Sequence, residues 1–208
     1  MIINKFAKWM LCAGLTAAAG TAEAGPIEFD FKDPKKVNNA LFILDAPLES
    51  ISGTATGITG KLTFDPAKPA ATKGKITLDA KTLHVDNPVM REHMLDKGWM
   101  DVAKHPKIEF VAEKFTNVKT SGTKTSAKVE GKFSVKGVTR KITVPVTLTY
   151  LKGMLAKRNR VPGDLLVLRS DFTIKRSEYN INPGDREEKV SDEIEIKLRV
   201  AGAAPQGK

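Results

Sequence analysis

The sequence contains a single cysteine, Cys12, and only three histidines in 208 residues. Cys12 lies in an N-terminal segment that we expect to be removed, so the remaining chain has no thiol. This absence excludes thiol catalysis, disulfide bonds, cysteine–zinc sites and c-type haem attachment in the mature protein. His84, His93 and His105 stand nine and twelve residues apart, a spacing that matches no compact metal-binding motif. We therefore predict no metal site.

Long apolar runs and long helical periodicities are also missing from the chain after residue 24. The first absence predicts that no later segment forms a membrane-spanning helix. The second argues against crossover helices, and so against a parallel sheet. No nucleophile elbow and no paired carboxylates in a polar setting occur either, so we predict that the protein is not an enzyme.

The N-terminal segment has the three parts of a secretory signal peptide. Lys5 and Lys8 give it a positive start, residues 9–19 form a short apolar run, and Ala22 and Ala24 are the small residues that a signal peptidase requires. The apolar run is too short to cross a bilayer. We predict a signal peptide over residues 1–24, cleavage between Ala24 and Gly25, and a periplasmic or secreted product.

Positive charge exceeds negative charge by ten across the whole sequence, and removal of the signal peptide lowers this excess by only one. An exported protein rarely meets nucleic acid, so we predict no nucleic-acid partner. One explanation of the excess is contact with an anionic membrane surface or an acidic partner. The other is a well-solvated lysine surface, which is favoured because the lysines alternate along predicted strands instead of clustering.

Period-two alternation of apolar and polar residues dominates the chain from Gly25 onward, as in strands with one buried face. The predicted inward faces include Val144, Val146 and Leu148 in one strand, and Leu166, Leu168, Phe172 and Ile174 in another. Turn residues interrupt the alternation, and Lys136-Gly137 is the clearest candidate for a short hairpin loop.

The fold prediction is a mainly β protein, an eight-stranded antiparallel barrel with short helical segments near residues 88–104. A two-sheet sandwich is the alternative. We expect one domain over residues 25–201, a flexible tail over residues 202–208, and a mobile basic loop over residues 152–163.

The most informative segment is the break in alternation at residues 87–110. Met90, Met94, Trp99 and Met100 place soft and aromatic side chains at one point of a β-rich domain. Methionine adapts to irregular partners, so these residues predict a lid or floor over an apolar space. The alternative is that they plug the barrel end as ordinary core.

Four blocks of the sequence, in their order and spacing, carry a resemblance to a known family. They are residues 53–65, residues 90–110, residues 131–146 with the segment Gly-Val-Thr-Arg, and the pair 170–174 with 190–194. The chain resembles the YceI-like family of exported, lipocalin-like β-barrel proteins. It departs from better-known members after Phe42, where no histidine follows, and at Trp99-Met100 in the helical segment.

The resemblance implies an eight-stranded barrel, closed at one side by short helices, with a long apolar channel. It further implies that a polyisoprenoid or isoprenoid quinone is the ligand and that homodimers occur. With few aromatics, at 6% of residues, the barrel is expected to be hollow, the alternative being an interior packed by its own side chains. We predict no cofactor besides such a lipid. The predicted ligand-binding residues are Phe64, Met90, Arg91, His93, Met94, Trp99, Met100, Phe110, Phe133 and Phe172, with Arg91, His93 or the basic loop near the polar head.

Overall fold

Alternating residues form ten strands and two short helices in the computed structural model, which describes residues 25–206. The predicted signal peptide, residues 1–24, lies outside the described residues. Neither described helix has the length and apolarity needed to cross a bilayer. The strands are β1 (Ile27–Asp30), β2 (Asn39–Asp45), β3 (Ser50–Ala55), β4 (Ile58–Phe64), β5 (Lys73–Asp79), β6 (Lys107–Ser121), β7 (Lys124–Val135), β8 (Val138–Leu151), β9 (Gly163–Lys175) and β10 (Glu193–Pro205); the helices are α1 (Pro88–Leu95) and α2 (Leu155–Asn159).

All strand pairs are antiparallel and close into a ring with eight positions. β1, β4, β5, β6, β7, β8, β9 and β10 are neighbours in that order, and Asp30 of β1 pairs with Ala203 of β10 to close the ring. β2 lies on the same edge of β10 as β1, and β3 continues into β4. β1 and β2 together form one position of the ring, and β3 and β4 together form the next, so ten strands fill eight positions. The prediction of an eight-stranded antiparallel barrel is confirmed, and the sandwich is excluded.

The hairpin between β7 and β8 follows the turn signal in the sequence. Lys136 and Gly137 are its two loop residues, with φ angles of 48° and 77°. Positive φ at both central positions defines the turn whose twist matches that of antiparallel strands. The pairing Val135 with Val138 then sets the register of the whole hairpin, so that Val144, Val146 and Leu148 point inward and are buried as predicted.

One end of the barrel is filled by its own side chains. Phe29 and Phe64 are buried, and the Tyr150 ring packs against both at 6.2 and 6.0 Å between centroids. The Tyr150 hydroxyl donates to Asp164 Oδ2 at 2.7 Å. Burial, and then this hydrogen bond, raise the pKa of Tyr150 to about 12. This end of the barrel therefore matches the alternative prediction, an interior packed by its own side chains.

Residues 152–163, predicted to be a mobile basic loop, contain a helix that packs on this end of the barrel. This helix is α2, whose Leu155 is 1% exposed. Arg158 donates to Asp33 Oδ2 at 3.0 Å, and the Asp33 side chain is only 2% exposed. The prediction was wrong because the partner of the arginine is 125 residues away in sequence, so local composition carried no sign of it.

The flexible tail was predicted to begin at residue 202, and this start is too early. β10 continues to Pro205, and residues 202–205 pair with β9 from Leu166 to Gly163. Gly202 faces Phe31, where a Cβ atom would lie 2.7 Å from Cε2 of the ring. The small residues Gly202, Ala203 and Ala204 are therefore part of a tightly packed strand instead of a tail.

Asp33 organises the loop between β1 and β2, and it makes the stability of the fold depend on pH in the acidic range. Burial alone raises the pKa of Asp33, but amide donors from Asn38, Lys35 and Val37 and the Arg158 charge hold it below its ordinary value. A lowered pKa in the folded state means that the carboxylate stabilises the fold above about pH 4 and loses that effect as the pH falls further.

We expect Asp33→Asn to lower the free energy of unfolding at neutral pH, and we expect the difference from wild type to shrink below about pH 4. Urea unfolding at several pH values measures this. Asp65→Asn is the matched control, since the Asp65 carboxylate accepts one amide hydrogen bond, from Ala67. A wild-type minus Asp33→Asn difference that stays constant into acid would show that the Asp33 charge is not the cause.

Candidate functional site

The end of the barrel away from Phe29 and Phe64 is hollow. It holds a cavity of about 210 Å³ that reaches from the middle of the barrel to the side chains covering this end. The lining is almost entirely hydrophobic and includes Phe42, Leu62, Ile76, Met94, Trp99, Met100, Phe110, Ala112, Phe115, Val129, Phe133, Val144, Leu168, Phe172, Ile174, Ile181 and Ile196. The barrel is thus solid at one end and open inside at the other.

The polar residues of the lining are already occupied by protein partners. Ser170 donates its hydroxyl to the Pro145 carbonyl at 2.7 Å. The Glu109 carboxylate accepts from Lys75 Nζ at 3.1 Å and from Thr77 Oγ1 at 3.0 Å. Burial raises the pKa of Glu109, but these hydrogen bonds outweigh it and leave the pKa below its usual range. The cavity therefore suits an apolar chain that has no hydrogen-bonding groups of its own.

The space arises from small residues on three neighbouring strands. Gly74, Ala112 and Gly131 are partners across β5, β6 and β7. A Cβ atom on Gly131 would lie 2.6 Å from Cζ of Phe110, so the phenyl ring covers the glycine. The Phe42 ring covers Gly53 in the same way, since a Cβ atom on Gly53 would lie 2.2 Å from Cζ of Phe42. These rings lie along the wall instead of crossing the interior, which leaves the middle empty.

Strand pairing between β1 and β10 closes the ring, but β3 has a strand on one edge only. β3 is the last strand of the sheet and pairs only with β2 along its length. On its other edge a single bridge joins Thr54 to His84, with N–O distances of 2.9 and 2.8 Å. Beyond this bridge the chain continues with residues 83–104, whose Leu83, Met94 and Met100 line the cavity. The unusual segment of the sequence is thus one wall of the cavity.

α1 lies within this segment and has no buried residue, although its Met94 lines the cavity. Asn87 begins the helix by accepting from the amides of Val89 and Met90 at 3.0 and 3.1 Å, and Pro88 occupies the first turn. The Met94 carbonyl accepts from the Met100 amide at 3.0 Å, which ties the helix end to the following segment. We call the edge of β3 that is joined to this segment at the Thr54–His84 bridge, together with α1, the β3–α1 seam.

The structure brings six of the ten predicted ligand-binding residues together. Met94, Trp99, Met100, Phe110, Phe133 and Phe172 all line the cavity. Phe133 has edge-to-face contact with Phe172 at 5.8 Å between centroids. Phe110, Phe133 and Phe172 line the cavity because period-two alternation determines which face of a strand is inward. That these residues bind a ligand stays a prediction.

The other four predicted residues do not line the cavity. Phe64 is an inward residue, but it belongs to the solid end. Met90 is 37% exposed, and Arg91 and His93 are exposed on α1. Met90 and Met94 share a helix face by their spacing, yet only Met94, near the helix end, reaches the cavity. The basic segment 152–163 lies at the opposite, packed end of the barrel, where the Gly153 amide donates to Asp164 Oδ1 at 2.7 Å, so it is not near the cavity cover.

Arg176 and the segment that follows it were missed. Arg176 is 0% exposed, and Ile181 lines the cavity with 4% exposure. The sequence did contain a signal, because Arg176 is in phase with the inward residues Phe172 and Ile174. An arginine at an inward position requires buried partners, and the sequence showed none.

A second cation joins the two segments that cover the barrel end. Lys136 Nζ donates to the Asn180 carbonyl at 2.7 Å and to the Gly98 carbonyl at 3.3 Å. Burial lowers the pKa of Lys136, while Asp101 opposes this shift. We call the two segments that Lys136 joins, residues 98–101 and 177–192, the cover. Their residues Trp99, Met100 and Ile181 line the cavity. Among the described residues, no cluster of His, Cys, Asp and Glu could hold a metal ion.

Comparison with known sequences gives the same family as the resemblance. The model of the YceI-like domain matches residues 22–201. A UPF0312 protein of Pseudomonas syringae pv. tomato is 37% identical over 97 residues, which are 47% of this chain and 48% of the relative. The chain thus spans about half the length of that relative. A UPF0312 protein of Yersinia pestis is 28% identical over 206 residues, covering 97% of this chain and 98% of the relative.

Solved structures share the barrel at low sequence identity. Burkholderia cenocepacia BcnA superposes with a TM-score of 0.66 at 23% identity, over 79% of this chain and 95% of that one. A polyisoprenoid binding domain from Saccharophagus degradans superposes with a TM-score of 0.61 at 10% identity, over 86% and 99%. These likenesses concern the fold, and the family match covers nearly all of the described residues. The chain belongs to the YceI-like family.

Proposed function

We propose that this protein is an exported binding protein that holds the apolar chain of an isoprenoid-type lipid, a polyisoprenoid or an isoprenoid quinone. In this proposal it sequesters or carries the lipid without changing it chemically. The observation that carries the proposal is the cavity of about 210 Å³, whose lining is apolar and whose few polar groups have protein partners. The Saccharophagus domain, described as polyisoprenoid binding, shares this barrel.

The energetics favour a chain of this kind. Each buried CH₂ group contributes about 0.8 kcal/mol. Binding in the micromolar range requires about 8 kcal/mol, and immobilisation of the ligand adds a further cost. A few isoprene units supply enough apolar surface to meet both. The cavity is smaller than the roughly 300–1,000 Å³ of pockets that enclose whole drug-sized ligands, so the proposal has the chain inside and the head group outside.

The head group is proposed to lie at the β3–α1 seam. The solid end, with Phe29 and Phe64, offers no passage, and the lining offers no free polar partner for a head group. Arg91 and His93 are exposed on α1 beside the seam. They are therefore candidates for contacts with a polar or anionic head, although they do not touch the cavity.

Export through the predicted signal peptide is part of the proposal. The expected outcome is a protein that begins at Gly25 when it is recovered from the periplasm or medium. Measuring the intact mass of the protein purified from the organism that produces it tests this directly. A cytoplasmic product that retains residues 1–24 would contradict it.

Contact with an anionic membrane is a second element, supported by the surface of α1. Val89 is 57% exposed and Met90 is 37% exposed, and Arg91 follows them. An apolar surface next to a cation suits an anionic bilayer interface. We expect co-sedimentation with anionic vesicles that weakens as salt is raised. Replacing Val89 and Met90 by serine should reduce it, and unchanged sedimentation of that variant would argue against contact through α1.

Lipid extraction tests the binding function. The protein is purified without detergent and extracted with organic solvent, and the extract is examined by mass spectrometry. We expect an isoprenoid lipid in the extract, or stoichiometric uptake of a prenyl quinone added afterwards. An extract without lipid, together with no uptake of prenyl quinones, would overturn the proposed function.

A further inference from the structure

Arg176 lies behind the end wall of the cavity with its guanidinium surrounded by main-chain carbonyls. Its Nε donates to Ser191 O at 3.1 Å, and its Nη1 donates to Ile181 O at 3.1 Å and to Asn182 O. Its Nη2 donates to Asp185 O at 2.6 Å and to Val190 O at 3.0 Å. All five donors of the guanidinium are thereby used within residues 181–191.

Those carbonyls belong to a segment that has little regular structure of its own. Between the short 3₁₀ helix that ends at Tyr179 and the start of β10, the residues Asn180, Asn182 and Arg186 have positive φ angles. A segment of this kind leaves carbonyls without partners in a helix or sheet. Arg176 supplies the donors, and the Ile181 amide donates back to the Arg176 carbonyl at 3.0 Å.

The same guanidinium supports the other half of the cover. Its Cζ lies 5.5 Å from the centroid of the Trp99 ring, a cation–π distance. Trp99 and Ile181 both line the cavity. One buried side chain therefore holds two wall residues that come from segments about 80 positions apart.

We propose that Arg176 is a positioning residue that sets the end wall of the cavity, and with it the length of apolar chain that the barrel accepts. The chain-length part rests on the proposed function, whereas the positioning of Trp99 and Ile181 does not. Arg176 itself makes no contact with ligand in this proposal, because its donors are all occupied. Loosening it moves the wall outward.

The test compares Arg176→Lys with Arg140→Lys. Lysine keeps the charge but cannot serve five carbonyls in a planar fork. Arg140 is the matched control, because its Nε also donates to this cover, to Glu178 O at 2.7 Å, from an exposed position. Trp99 is the only tryptophan among the described residues, so its fluorescence reports on the wall without any ligand.

In Arg176→Lys we expect Trp99 emission to shift to longer wavelength and acrylamide to quench it about twofold more efficiently, as a loosened segment exposes it. In a series from geraniol through farnesol to geranylgeraniol, affinity for the shortest alcohol should fall about tenfold while the preferred chain lengthens. Arg140→Lys should match wild type in both. Wild-type Trp99 accessibility and an unchanged chain-length order in Arg176→Lys would overturn the proposal.

A second variant covers the case in which Arg176→Lys does not fold. Ile181→Ala leaves the carbonyls and Arg176 in place and shortens only the wall side chain. It is expected to shift the preference toward longer alcohols, and an unchanged preference would overturn the proposal. If wild type binds none of the alcohols, takes up no prenyl quinone and yields no lipid on extraction, the proposed function fails. Trp99 accessibility in the two arginine variants then still decides whether Arg176 positions the wall.

Discussion

Replacing Ala112 by phenylalanine is expected to abolish most binding of prenyl lipids while leaving the barrel folded. Ala112 is the middle of the small-residue row Gly74, Ala112 and Gly131, and it lines the cavity. A phenyl ring at this position fills a large share of about 210 Å³. We expect affinity for a prenyl quinone to fall by about tenfold to a hundredfold, which corresponds to about 1.4–2.8 kcal/mol.

The stability of this variant should change much less than its affinity. Overpacking a filled core costs about 1–3 kcal/mol, but here the added ring enters space that already exists. Val111→Phe is the matched control, because Val111 directly precedes Ala112 on β6, faces outward and is 38% exposed. It adds the same bulk outside the barrel. Equal affinities of the two variants would show that the cavity is not the binding site.

Replacing Arg176 by methionine is expected to give the largest loss of stability. Methionine is apolar and removes the cost of burying a cation, which is an advantage. It also leaves five carbonyl acceptors without the guanidinium. A fully buried acceptor without a partner costs about 1–3 kcal/mol. The bond to Ile181 is buried and the other four are part-buried, so their loss together outweighs the gain. We expect the free energy of unfolding to fall by at least about 3 kcal/mol, against a usual total of about 5–15 kcal/mol.

Urea unfolding followed by circular dichroism measures this effect. Arg199→Met is a suitable control, because Arg199 pairs with Asp171 on the outer face of the sheet. An exposed pair is worth at most about 1 kcal/mol, so this variant should unfold close to wild type. A loss below about 1 kcal/mol in Arg176→Met would mean that water readily replaces the guanidinium and that the cover is loosely held.

The strands and their inward faces were predictable because each depends on a local rule. Val144, Val146 and Leu148 face inward because alternate residues of a strand share a face, and Lys136-Gly137 forms the turn that its φ preferences require. The aromatic part of the site followed from the same rule. Phe133 and Phe172 needed only the strand assignment to be placed on the cavity wall.

The remaining parts depend on contacts between residues that are distant in sequence. Spacing along α1 could not show that Met90 is exposed while Met94 reaches the cavity, since the attachment at Thr54 and His84 orients this region. The solid end removed Phe64 from the site, because Tyr150 packs against it from another strand. Arg176 was in phase with inward residues, but the carbonyls that hold it come from an irregular segment without a sequence pattern.

The most direct test of the central claim, that the hollow end of the barrel holds a prenyl chain, is a fluorescence titration of Trp99 with a prenyl quinone. Trp99 lines the cavity and is the only tryptophan among the described residues. We predict saturable quenching at one quinone per chain in wild type and Val111→Phe, with the midpoint moved to about tenfold to a hundredfold higher quinone concentration in Ala112→Phe. Quenching that never saturates, or that is the same in Ala112→Phe, would contradict a binding site in the cavity.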